Sequence, residues 1–110
     1  MSQLVEYPRF MIAVARIVST IRSPTDGQDG LAVFWTKAAA RKVARRTLGA
    51  VVIEATSEMF MEAIRIAHER GVSWLYIGTQ QDDRVSFEKV RLTIALGQYA
   101  RDGQHLHGEE

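Results

Sequence analysis

The chain has 110 residues, 46% apolar and 25% charged, with a formal net charge of +1. That balance describes one ordinary globular domain; it excludes a disordered or collagen-like chain and gives no global field that would draw the protein to nucleic acid or an anionic membrane. No apolar run approaches the ~20 residues that span a bilayer, and the absence of cysteine removes disulfides, thiolate metal sites and cysteine nucleophiles.

The opening MSQLVEYPRF lacks the basic-then-apolar pattern of a secretory leader, so a cytoplasmic location is expected. Tyr7-Pro8 disfavours helix at Tyr7. Residues 10–21 (FMIAVARIVSTI) match a helical stripe at Phe10, Ala13, Val14, Ile17, Val18 and Ile21. They are also rich in β-branched side chains, which suit a pleated surface, and the strand reading is favoured. SPTDGQDG, with Asp26-Gly27, reads as a hairpin turn, and residues 31–35 (LAVFW) as a second strand.

Thr36 can cap a helix through its hydroxyl. The helix is expected over residues 36–48, ending at Gly49, with Ala40, Val43, Ala44 and Thr47 inward. A third strand follows over residues 49–55. Ser57 is read as the cap of a second helix over residues 57–70, with Glu58 at its positive end and His68 and Arg70 at its negative end. Residues 72–77 (VSWLYI) make a fourth strand, QQDDR a polar loop, and residues 86–100 a last helix capped by Ser86. Residues 1–103 form a single domain on this reading, and 104–110 a disordered tail.

The order β-β-α-β-α-β-α predicts an α/β (α+β) fold: a mixed four-stranded sheet with both crossover helices on one face and a C-terminal helix. The first two strands should be antiparallel, and right-handed crossovers moving the same way place their helices together. Leu31, Val33 and Trp35 alternate with Ala32 and Phe34, and Trp74 and Tyr76 with Leu75 and Ile77. Both faces are therefore apolar, and the second needs a cover: the last helix, a partner subunit or a ligand.

From Phe10 to Ile77 the string resembles the N-terminal domain of the SseB family. A long apolar strand leads, through a turn, to Leu31-Ala32-Val33-Phe34-Trp35-Thr36, which matches the family's signature strand with Phe34 at its aromatic position. Helix, Val/Ile-rich strand, helix and apolar strand follow, over about two-thirds of the chain. Trp35 stands where the family usually has a small polar residue, and Gly78-Thr79-Gln80 where an Asn-Pro pair is common. The resemblance implies a small α/β interaction module and carries over no catalytic residues.

Five cations, Lys37, Arg41, Lys42, Arg45 and Arg46, fall between Leu31 and Ile53 with no acid among them. Arg41, Lys42, Arg45 and Arg46 form a candidate anion patch opposite the helix's inner stripe, although a solvated helix face explains them as well. Trp35, Trp74 and Tyr76, of a kind common in binding hot spots, are candidate interface residues, with core packing as the alternative. On the last helix Phe87, Val90 and Ile94 make one stripe, and Leu92, Leu96 and Tyr99 a second. That second stripe predicts a symmetric homodimer through this helix or the sheet face it leaves open.

His68 reads as a helix-end residue, and His105 and His107 as part of the tail. No phosphate-binding glycine loop, nucleophile elbow or zinc-protease motif occurs, and Glu54 and Asp82-Asp83 are weak catalytic candidates at strand ends. The sequence therefore predicts a non-enzymatic protein-interaction or small-ligand-binding module, self-associating, with no cofactor and no membrane contact. A nucleic-acid-associated protein using the basic helix 37–46 is the alternative.

Overall fold

β-Branched and aromatic residues recur along the sheet, and the two crossover helices form where a threonine hydroxyl caps an apolar stripe. A computed structural model describes residues 6–15, 17, 18, 20–22 and 27–99. In chain order these form β1 (Phe10–Val14), β2 (Ile17–Val18), β3 (Thr20–Arg22), β4 (Asp29–Phe34), α1 (Lys37–Ala44), β5 (Ala50–Glu54), α2 (Ser57–Glu69), β6 (Trp74–Gln81) and β7 (Arg84–Arg91). A further helix, α3, covers residues 92–99. The expected turn at 23–26, Arg16, and the tail with His105 and His107 lie outside the described residues.

The fold is α+β around a mixed sheet. Its body runs β5-β1-β4-β6-β7, with the short β2 beside β1 and β3 beside β4. Only β4 and β6 are parallel, with Gly30 opposite Trp74 and Phe34 opposite Gly78. The strand reading of 10–21 holds over its described residues, but the chain divides it. A turn at Ala15, in the left-handed region at φ 53°, separates β1 from β2. β1 and β3 then both pair antiparallel with β4, as expected for the first two strands.

Several expectations are corrected. The two crossover helices lie on opposite faces. Ala39, Ala40 and Ala44 of α1 pack with Ile12, Ala32 and Phe34, whereas Phe60, Ile64 and Ala67 of α2 pack with Met11, Leu31, Val33, Leu75 and Ile77. The cause is direction. β4-α1-β5 runs towards one edge and β5-α2-β6 runs back, and crossovers of one hand that move in opposite directions put their helices on opposite faces.

The expected last helix is a strand over its first residues. β6 and β7 form a hairpin around Asp82-Asp83, flanked by the pair Gln81 and Arg84. Asp82 takes the left-handed conformation such a turn demands, at φ 56°. From Val85 onward the pattern has period two: Val85 packs on the α1 side and Val90 on the α2 side. α3 begins only at Leu92, whose N–H donates to the Ser73 carbonyl at 2.8 Å. It sends Leu92, Ala95 and Tyr99 into the α2-side core, with Leu96 half-buried beside them.

Helix ends also differ. Thr36 caps α1, accepting from the Ala39 N–H. The helix stops at Ala44, however, so Thr47 is exposed and Ala39 takes the inward place expected of it. Thr56, not Ser57, caps α2, accepting from the Met59 N–H at 3.2 Å. Ser57 is buried, and its hydroxyl has no hydrogen-bond partner among the described residues.

Candidate functional site

Two glycines shape the α1 side of the sheet. A Cβ on Gly30 would sit 2.3 Å from the Tyr76 ring, and one on Gly78 would sit 2.5 Å from the Phe34 ring. Aromatic rings thus occupy the space that a side chain at either position would need. Phe34, Phe87 and Tyr76 form an edge-to-face chain, with centroids 5.8 Å and 6.3 Å apart. The Tyr76 hydroxyl donates to the Gln28 carbonyl at 3.0 Å, fixing the ring at the start of β4.

Trp74 extends this aromatic row. β7 places Arg91 opposite Trp74 and Lys89 opposite Tyr76, so both cations fall on the same side of the sheet. The Lys89 ammonium lies 4.1 Å and the Arg91 guanidinium 5.0 Å from the Trp74 ring centre, within cation–π range. Lys89 Nζ also reaches Gln28 Oε1 at 3.4 Å. Trp74 forms one wall of an open cleft of about 390 Å³, completed by Gln28, Asp29, Arg70, Gly71, Val72 and Ser73. The cleft lies where α2 ends and β4 and β6 begin.

Charge is segregated between the faces. α1 and the turn after it carry their cations on the same side as Lys89 and Arg91; Arg41 of the helix and Arg45 and Arg46 of the turn are exposed. Lys42 is half-buried, and its ammonium donates to the Asp83 carbonyl, tying α1 to the β6–β7 turn. On the opposite face Arg65 of α2 bridges Glu62 and Glu69, the latter at 2.6 Å. Its guanidinium is held above the ordinary range, first by the hydrogen bond and charge of Glu62 and then by Glu69. All three side chains are half-exposed, so the network adds little to stability.

The residues singled out from the sequence do not converge. Trp74 and Tyr76 stand together, but Tyr76 is buried. Trp35 follows the other end of β4, five residues along from Trp74's level (~17 Å at strand rise). The residue is 41% exposed, and its backbone N–H donates to the Gly78 carbonyl at 3.1 Å. Leu92 and Tyr99 are core residues on the α2 side, Tyr99 edge-on to Phe60 at 4.9 Å. His68 is exposed in the last turn of α2.

Glu54 and the Asp82-Asp83 turn belong to β5 and to the β6–β7 hairpin, three strand spacings (~14 Å) apart across the sheet. Among the described residues no three His, Cys, Asp or Glu side chains are grouped to hold a metal ion, and no helix is long and apolar enough to cross a membrane. Sequence reading missed Lys89, Arg91 and Gln28. The signal for the first two was their alternate spacing with Val85 and Phe87, hidden by the helical reading of that segment.

In comparisons with known proteins, no family model matches the chain and no curated protein is similar to it.

Proposed function

We propose that the protein is a non-enzymatic protein-interaction module, resembling an SseB N-terminal domain, that binds an acidic segment of a partner across Trp74, Lys89 and Arg91. The observation that carries this reading is the placement of two cations on a half-exposed tryptophan at the rim of a cleft. Trp and Arg are enriched among residues that dominate interface energies. A carboxylate-bearing chain meets positive charge there, while its apolar groups meet the indole edge.

The nucleic-acid reading draws on a different observation. Arg41, Arg45 and Arg46 are exposed on the same side as Lys89 and Arg91, which makes a broader cationic face. It is the second reading because the Trp74 ring already carries two cations, whereas single-stranded nucleic acid needs open aromatic faces for its bases.

Fluorescence separates the two. A Trp35→Phe protein keeps Trp74 as its one tryptophan. A glutamate-rich peptide is expected to change its emission, and Lys89→Glu with Arg91→Glu to abolish the change. A response to a single-stranded oligonucleotide but not to the peptide would select the second reading. No response to either would remove the Trp74 platform as a binding site.

A further inference from the structure

The two edges of the sheet are built differently. β7 carries Arg84, Glu88, Lys89 and Arg91, a charged edge of the kind that blunts strand addition. β5 reads Ala-Val-Val-Ile before its one charge, Glu54, and among the described residues it pairs with β1 alone. Val51 is 58% exposed, and Leu48, just before the strand, is 99% exposed. Nothing in its side chains guards this edge.

Its hydrogen-bond phase can be read from the ladder. The Ala55 N–H donates to the Arg9 carbonyl at 2.7 Å. In an antiparallel pair such bonded positions recur every second residue, here at Ile53 opposite Met11 and Val51 opposite Ala13. The N–H and C=O groups of Ala50, Val52 and Glu54 therefore point away from β1. The Ala50 N–H is engaged by the Thr47 carbonyl at 3.2 Å; within the described residues no hydrogen bond uses the others.

We infer that this edge pairs with β5 of a second copy of the chain, antiparallel about a two-fold axis at Val52. Val52 then faces Val52 of the second copy, each N–H donating to the other's carbonyl. The Glu54 N–H of each copy donates to the Ala50 carbonyl of the other. The pairing leaves out only the bond that would need the Ala50 N–H, which Thr47 already holds.

Charge selects a second copy over an unrelated strand. Glu54 shares a face with Ala50 and Val52, which pack on the α1 side. A two-fold axis normal to the sheet keeps α1 of both copies on that side. Glu54 of the second copy lands opposite Ala50, beside the turn that holds the exposed Arg45 and Arg46. Symmetry makes this attraction twice. On the other face Val51 meets Ile53 of the second copy and loses its water. The inference stands apart from the Trp74 reading, because it uses the opposite edge of the sheet.

The interface is short and belongs at the small end of the size range, so dimer is expected to appear as concentration rises. Sedimentation equilibrium should give twice the 12.4 kDa chain mass at high concentration. Val51→Lys places like charges near the axis on a side chain already exposed, and should weaken dimerisation by at least ~100-fold while melting like wild type at concentrations low enough that both are monomeric. Glu54→Arg should weaken it too, and adding Arg45→Glu with Arg46→Glu should restore it. Amide exchange at Val52 and Glu54 should slow as dimer forms. A wild-type chain that stays monomeric, a dimer indifferent to Val51→Lys, no rescue by the charge swap, or free exchange at those amides in the dimer would each overturn the inference.

Discussion

The two faces of the sheet solve the same burial problem with different materials. On the α2 side, large side chains interlock: Met11, Phe60, Ile64, Leu75 and Leu92 are each no more than 2% exposed. Phe60 is edge-on to Tyr99 and 5.4 Å from the Tyr7 ring, and the Tyr7 hydroxyl donates to the Ala55 carbonyl at 2.8 Å. On the α1 side, Ala39, Ala40 and Ala44 let an eight-residue helix sit close to Phe34 and Ile12. So short a helix cannot cover the whole face. What it leaves is covered by rings lying on glycine and by cations lying on Trp74. One face is a conventional core, and the other combines a small core with the surface chemistry.

The largest expected effect tests the first half of that contrast. Phe60→Ala removes a fully buried ring from between two other aromatics and should cost ~3–5 kcal/mol in urea denaturation. Under ~1 kcal/mol would mean that the α2 side is not where the fold is held. Gly30→Ala tests the second half. Its new Cβ meets the Tyr76 ring, and the overpacking should cost ~1–3 kcal/mol. In a Tyr76→Leu background most of that cost should vanish, because the two positions are in contact and their effects are not additive. Equal costs in both backgrounds would show that the ring does not depend on bare backbone at Gly30.

A smaller pair of substitutions separates neighbouring residues on α2. Thr56→Ala loses the bond to the Met59 N–H and should cost ~1 kcal/mol. Ser57→Ala removes a buried hydroxyl that has no hydrogen-bond partner among the described residues and should leave stability unchanged or raise it. The reverse order in thermal melts would return the cap to Ser57, where sequence alone placed it.

That misplacement shows what the residues made legible and what they did not. The α+β class, the strand reading of Phe10–Val14, and the order strand, helix, strand, helix, strand from β4 to β6 follow from local signals: β-branched runs, Thr36, Gly49 and Gly71. The opposite faces of Leu31 and Val33 against Ala32 and Phe34 follow from strand alternation alone. The layering was not legible, because it depends on β1 lying between β4 and β5, a pairing among distant segments. β7 was hidden for another reason: Phe87, Val90 and Ile94 fit a helical period by coincidence across a strand–helix junction. With β7 unseen, Lys89 and Arg91 could not be aligned with Trp74, and the candidate site could not be assembled from the sequence.

The smallest expected effect concerns the cations of α1. Arg41 and Arg45 are exposed, and no ion pair holds them among the described residues. Their reversal to Glu should shift stability by no more than ~0.5 kcal/mol. Lys42 is set aside because it donates to the Asp83 carbonyl, and losing that tie would mix packing with charge. Because Arg45 also faces Glu54 in the inferred dimer, the measurement belongs in the Val51→Lys background, where the chain is expected to be monomeric. There Arg41→Glu with Arg45→Glu should melt with the parent. If the α1 face adds only general attraction, peptide binding at Trp74 should fall modestly in low salt and recover its parent value as salt screens the charges. A loss of several kcal/mol would mean that the helix is held by these arginines rather than by Ala39, Ala40 and Ala44. A salt-independent loss of binding would place Arg41 or Arg45 in direct contact with the partner.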